Sequence, residues 1–401
     1  MKNKSQIFIW SLFDFGNSSY AVIIVAFVFA VFFKEVIVSG ESVGDLYWSL
    51  AINISMILSA VLNPVCGAIA DHSSNKKKFL FFFTYLCIIT TSLMYFTSEG
   101  TILFAVILFI FSNIGFQTGL TFYDAFIPEI TEPESYNKVS GIGYGVGYFG
   151  SLISVALVFP LKDNPNLLFV VSAAFFMIFS MPLFLFLKEK KKAVTKLETG
   201  IVKFGFSKVY NTLKNVNKYK NLRNFLLSFF LYIDAVNTII FFAGIYASST
   251  LKFETTELAV FFLIVQITAM TGSFLFGIIG DKIGIKKSIF INLIAWTLIT
   301  LSVYFTNDKS SFYIIGAFAG TFLGSSQSLS RTLMTMLTPP EFKTEFFGFY
   351  GLFEKTSTIL GPLTFGLVSW LSGSQKYAVL SVGVFFILGM LLLNKVKEKE
   401  I

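Results

Sequence analysis

The 401-residue chain is 55% hydrophobic and 18% aromatic, with 13% charged residues and a mean hydropathy of +0.73, which excludes a soluble domain and points to a polytopic membrane protein. Its net charge of +8 does not indicate nucleic-acid binding, because the lysines cluster in short segments between apolar runs, the pattern that sets membrane topology. Cys66 and Cys87 both fall in predicted spans, so neither a disulfide framework nor a thiolate metal site is supported, and no metal or other cofactor is expected.

The first span begins after Met1-Lys2-Asn3-Lys4 and runs to about Phe33 without a small-residue cleavage site, so it is expected to stay in the mature protein. Counting runs of about 20 apolar residues gives twelve predicted spans, centred on residues of about 20, 57, 88, 113, 150, 177, 235, 268, 297, 324, 357 and 385. An even count puts both termini on one side. Taking that side as the one bearing the middle linker, its segments hold 24 Lys and Arg, whereas the opposite loops hold 5, namely Lys34, Lys162, Lys252, Lys309 and Lys376. The positive-inside rule therefore predicts cytoplasmic termini.

The one long connection, Lys188 to Arg223, carries 11 basic residues and divides the spans six and six. The expected organisation is an N-terminal six-helix bundle at 1–188, a basic cytoplasmic linker at 189–221 and a C-terminal six-helix bundle at 222–401. Within the linker, apolar and basic residues from Phe204 to Lys214 alternate like a short helix lying on anionic lipid at the inner leaflet; a merely solvated loop is the alternative.

Polar residues inside the spans carry the functional signal, since a charge near the bilayer core costs at least a few kcal/mol. The first span holds Asp14 and Asn17 followed by Ser18, and the seventh repeats the order as Asp234, Asn237 and Thr238. Offsets of three and four residues put acid, amide and hydroxyl on one helical face. A helix-packing hydrogen bond is the bland alternative to a cargo or proton site. Span four offers Asn113, Gln117, Thr121 and Asp124 along one face, and span ten offers Gly324, Gln327, Ser328, Arg331 and Thr335. Pro128-Glu129 is expected to end the first of these helices, and Pro339-Pro340-Glu341 follows the second. Glycines at 141, 143, 145, 147 and 150 should let span five approach a neighbour closely. Arg331 needs an anion, for which Asp14, Asp124, Asp234, Glu354 or the cargo are candidates, and a static Arg–Asp brace is the competing reading. Lys355 is the second intramembrane cation.

After spans two and eight come Gly67-Ala68-Ile69-Ala70-Asp71-His72-Ser73-Ser74-Asn75-Lys76-Lys77-Lys78 and Gly277-Ile278-Ile279-Gly280-Asp281-Lys282-Ile283-Gly284-Ile285-Lys286-Lys287. Glycine permits close helix approach, and an Asp four residues later can cap a helix end that must break and remake contacts. Gly67, Asp71, Gly277 and Asp281 are thus the candidate gating residues. His72, the only histidine, reads as an incidental polar residue rather than a pH sensor.

Both stretches resemble the G-x-x-x-D-R/K-x-G-R/K-R/K motif of the major facilitator superfamily, with His72, Ser74 and Asn75 departing from it in the first copy. The segments WSLFDFGNSSYA, YDAFIPEI, KVSGIGYGVGYFGS, LYIDAVNTIIFFAGIYA and SSQSLSRTLMTMLTPPEFKTEFFGFYGLFEKTSTILGPLTFGLVS resemble its vacuolar amino-acid effluxer branch, the autophagy-linked effluxers and their bacterial relatives. Phe15 and Gly16 stand where that branch usually has Trp and Ala. The resemblance implies an all-α membrane protein of twelve helices in two pseudo-symmetric six-helix bundles. It also implies a non-enzymatic secondary transporter moving a small polar solute, an amino acid or related metabolite, by alternating access, with a proton as candidate coupling ion. A zwitterion would need an acid such as Asp14 or Asp234 for its ammonium and Arg331 or Lys355 for its carboxylate. A monomer in a bacterial inner membrane is expected in preference to a vacuolar location. A non-transporting scaffold or receptor, or an exporter of lipid-like or drug-like amphiphiles, is the alternative.

Overall fold

The computed structural model describes residues 4–397 except 27, 40–42, 162, 191–199, 215, 340 and 359. Linker positions 191–199 and 215, with Lys2, Lys162, Pro340 and Lys399, therefore lie outside the described residues. The regular structure is helical among the described residues, as a bilayer demands: only a helix or a closed barrel satisfies every backbone N–H and C=O without water.

The first half of the chain forms α1 (Lys4–Ser19), α2 (Val43–Ser73), α3 (Lys76–Leu93), α4 (Ile102–Asp124), α5 (Tyr136–Leu161) and α6 (Pro165–Phe186). The linker contributes α7 (Ile201–Lys214). The second half forms α8 (Lys220–Ser249), α9 (Thr255–Ile283), α10 (Ile285–Phe305), α11 (Lys309–Leu337), α12 (Lys343–Ser357), α13 (Leu360–Ser372) and α14 (Gln375–Asn394). The first span continues past α1 through π-helical turns at Tyr20–Ala26 and Phe33–Ile37, so it runs beyond its expected end.

Among the described residues, ten helical stretches are long and apolar enough to cross a membrane. The tenth and eleventh places are filled by α11 and by the α12–α13 pair. Their weaker signal has a physical cause: α11 carries a row of Ser and Thr with Gln327 and Arg331, and the eleventh span is divided after Ser357 and bears Glu354 and Lys355. α4 ends at Asp124, earlier than its proline suggested, and Pro128 instead opens the short helical turn Ile127–Ile130.

Two compact units emerge: Met1–Glu132, Val146–Asn211 and Pro339–Leu352 form one, and Pro133–Gly145, Thr212–Thr338 and Phe353–Ile401 the other. In the first unit, a Cβ on Gly115 of α4 would lie 2.6 Å from the Phe83 carbonyl oxygen of α3, and one on Gly16 of α1 would lie 2.9 Å from Phe179 Cβ of α6. Gly16 thus answers to the close approach of α6. The second unit has a matching seam, where Gly272, Gly320 and Gly324 bring α9 and α11 to backbone contact. The α5 glycines serve two neighbours. Gly141 meets Ser273 and Gly277 of α9 within the second unit, while Gly147 and Gly150 meet Asp14 and Phe15 of α1 within the first.

The turns after α2 and α9 show why the repeated motif carries a glycine. Three residues beyond each motif aspartate the backbone takes a positive φ, +94° at Gly284 and +49° at Ser74. Glycine bears such a φ without steric cost, and a side chain is strained by about 1–3 kcal/mol. Gly284→Ala should therefore lower stability by about 1–3 kcal/mol, whereas Ser74→Gly should not destabilise at all. Thermal unfolding of the purified variants in one detergent checks both; equal losses at the two positions would contradict this reading of the turn.

Candidate functional site

In the first unit, Asp14 is buried, and both carboxylate oxygens accept hydrogen bonds. Asn17 Nδ2 donates to Oδ1 at 3.3 Å and the Tyr123 hydroxyl donates to Oδ2 at 2.8 Å. Trp10 fixes Tyr123 by stacking on its ring, with centroids 4.5 Å apart, and by donating its indole N–H to the Tyr123 carbonyl at 3.1 Å. Phe13 stacks on the same ring at 4.8 Å. Ser18 Oγ lies 2.7 Å from the carbonyl oxygens of both Asp14 and Gly147. Sequence reasoning found Asp14 and Asn17 but not Tyr123, whose only signal was its place beside Asp124 on the polar end of α4.

The α4 stripe is inward-facing for Asn113, Gln117 and Thr121, which are buried, and half-buried at Asp124. Asn113 Nδ2 donates to Ser55 Oγ of α2 at 2.7 Å, while its Oδ1 has no hydrogen-bond partner among the described residues. Asn63 of α2 was missed. It is fully buried, and neither amide atom has a partner among the described residues. It faces the first unit's α12 segment, where a Cβ on Gly351 would come within 2.6 Å of Asn63 Nδ2. An amide beside Pro64 in an apolar span was the available signal.

In the second unit, Asp234 of α8 differs from Asp14. It is fully buried, and neither carboxylate oxygen has a hydrogen-bond partner among the described residues. Asn237 is half-buried and does not donate to it. Thr238 Oγ1 bonds instead to the Asp234 carbonyl at 2.7 Å. Gly361, in the first turn of α13, lies against the carboxylate so closely that a Cβ there would stand 2.8 Å from Oδ1. The helix break after Ser357 therefore brings the positive end of α13 to this acid.

Arg331 of α11 is buried and held by α5 in the second unit. Its Nε donates to Ser140 Oγ at 3.0 Å, Nη2 donates to the Ser140 carbonyl at 2.8 Å, and the guanidinium lies 4.1 Å over the Tyr144 ring. A serine and an aromatic face thus meet the cation, a pairing no residue pattern announced. Gln327, half-buried, sits one turn earlier on α11. Lys355 pairs with its neighbour Glu354 at 2.6 Å.

Each motif aspartate lies in the last turn of its own helix, Asp71 in α2 and Asp281 in α9. In the first unit a Cβ on Gly67 would lie 2.5 Å from the Thr344 carbonyl oxygen, and Asp71 Oδ2 accepts the Glu345 backbone N–H at 2.8 Å. Asp71 thereby caps α12, whose first N–H groups lack helical partners. Lys76 of the same motif makes a buried ion pair with Glu129 and donates to the Ala125 carbonyl at 3.0 Å. In the second unit, Gly277 packs on Gly141 and on Asn137 near the start of α5, and Asn137 donates to the Phe276 carbonyl at 2.8 Å. Asp281 at this helix end is exposed. His72 rests its ring 4.6 Å from that of Phe204 in α7.

Residues 47–400 match the family model described as vacuole effluxer Atg22 like. The Bacillus subtilis (strain 168) MFS-type transporter YxiO is 30% identical over 406 residues, covering 97% of this chain and 94% of that protein. Autophagy-related protein 22 of Kluyveromyces lactis is 26% identical over 280 residues, 63% of this chain; the match spans 56% of the fungal protein, about half its length. Among solved structures, the major facilitator proton:xylose symporter XylE bound to 6-bromo-6-deoxy-D-glucose superposes with a TM-score of 0.76 at 15% identity, covering 99% of this chain and 96% of that one. The chain is a multi-pass membrane transporter of the major facilitator fold, not an enzyme, and it belongs to the Atg22-like vacuole effluxer family.

Proposed function

We propose that this transporter moves a small zwitterionic metabolite, an amino acid or a close relative, by alternating access, with a proton as coupling ion. The observation that carries the reading is the contrast between two acids at equivalent places in a repeat. Asp14 is held as an oriented anion by Asn17 and Tyr123, which suits recognition of an ammonium group. Asp234 is buried with both oxygens unpartnered among the described residues. An isolated buried carboxylate is costly, and taking up a proton removes that cost. The nearby α13 start favours the anion, so small rearrangements of the broken span can load or release the proton.

In this scheme Asn113, Gln117 and Asn63 contribute amide partners for cargo. Asp124, Asn237 and Gln327 are secondary candidates for the same task. Arg331 and the Glu354–Lys355 pair supply the cationic side for the cargo carboxylate once their present contacts open. The moving bodies are the bundles 1–188 and 222–401, working as one monomer with both termini in the cytoplasm of a bacterial cell, and transport runs outward as in an effluxer. Gly67, Asp71, Gly277 and Asp281 govern the exchange between states.

Two outcomes follow. Asp234→Asn in proteoliposomes should retain substrate exchange while abolishing accumulation driven by a pH gradient. Asp14→Asn should instead weaken binding by about 2–5 kcal/mol, the loss for one partner of a buried charge pair. Normal gradient-driven uptake by both variants would sink the assignment.

The gate gives a separate expectation. Asp71→Ala removes a part-buried hydrogen bond to a charged group and should cost about 1–3 kcal/mol of thermal stability, with turnover changed and ligand affinity held within about threefold, ~0.6 kcal/mol. Asp281→Ala, at an exposed position, should cost less than about 1 kcal/mol. A much larger affinity loss at Asp71 would show that it does more than gate.

A further inference from the structure

Helix α7 (Ile201–Lys214) presents two unlike faces. Its inner face sits on the end of α2 and on the residue just before α12. A Cβ on Gly205 would lie 3.0 Å from the side chains of Val65 and Ile69. Phe204 packs on His72, and Lys208 Nζ stands 4.2 Å over the Phe342 ring. These contacts flank the hydrogen bond between Asp71 and the Glu345 backbone.

The outer face has no such cover. Val202, Phe206 and Tyr210 follow one another at intervals of four and are 60%, 53% and 65% exposed. Lys203 and Lys214 are exposed beside them. A helix seated by one side and carrying an aromatic stripe edged with lysine on the other has the pattern of a helix lying in a membrane interface. Charge selects the lipid. Between Gly200 and Arg223 the sequence has six basic residues and no acidic one, so the segment complements an anionic surface, to which each nearby lysine adds attraction.

We propose that α7 binds the surface of an anionic bilayer through Val202, Phe206 and Tyr210, with Lys203 and Lys214 engaging lipid phosphates. Because its inner face clasps Ile69, His72 and Phe342, the bilayer surface then steadies the Asp71 cap on α12. A cytosolic protein partner would need a water-exposed stripe, whereas a membrane partner needs one in contact with lipid.

The test uses the full chain with Cys66→Ser and Cys87→Ser, a fluorophore on Tyr210→Cys, and nanodiscs of phosphatidylcholine with or without roughly one third phosphatidylglycerol. Brominated lipid should quench the label at least threefold more in the anionic discs, and Lys203→Gln with Lys214→Gln should remove more than half of that difference. The label on Phe206→Cys serves as the second site should the first variant fold poorly. In the parent chain, phosphatidylglycerol should raise the melting temperature, and Phe206→Ser with Tyr210→Ser should abolish the rise. Quenching by aqueous iodide alone, equal lipid quenching in both compositions, or protection that appears only with added cytosolic protein would each overturn the proposal.

Discussion

A chain that crosses a bilayer many times must satisfy its polar groups from within, because hydrocarbon offers them no partner. Most of the architecture obeys that constraint. Backbone groups are used up in helices, Ser and Thr hydroxyls bond back to carbonyls one turn earlier, as Ser18 and Thr238 do, and Lys76 meets Glu129 in a buried pair. Against this background Asp234 and Asn63 stand out, since among the described residues their side-chain polar atoms have no hydrogen-bond partner. Such groups are costly unless something else supplies their partner, and a transported proton or solute is such a partner.

The two halves of the sequence repeat a plan without repeating its chemistry. Asp14 is fixed by Asn17 and Tyr123; its counterpart Asp234 is not fixed by Asn237. Asp71 is drawn into the backbone of α12, whereas Asp281 stays exposed at the end of α9. The turn glycine survives at Gly284 and is replaced by Ser74, which keeps the positive φ. Under the proposed function, differences of this kind would assign binding to one half and coupling to the other.

The spans were legible from hydropathy because length and composition alone decide whether a helix can cross a membrane. The repeated Gly-x-x-x-Asp stretch was legible because its spacing fixes a glycine and an acid on one helix face. Partners were not. Nothing in the residue pattern joined Arg331 to Ser140 and Tyr144, Asp14 to Tyr123, or Asn63 to the turn at Gly351, because these contacts depend on how separate helices pack. The division of the eleventh span did carry a signal, Gly361-Pro362, because a proline cannot donate to the carbonyl four residues earlier, at Thr358. Intramembrane polarity reveals which side chains need a partner; only tertiary structure says which have found one.

The most direct measurement is the protonation of Asp234 itself. Infrared difference spectra of the transporter with isotope-labelled aspartate, recorded at neutral pH with and without a pH step, report a protonated carboxyl separately from carboxylates. If Asp234 carries the proton, the parent protein shows that carboxyl signal, Asp14→Asn keeps it and Asp234→Asn loses it. A signal that persists unchanged in Asp234→Asn, or is missing from the parent, would contradict the assignment.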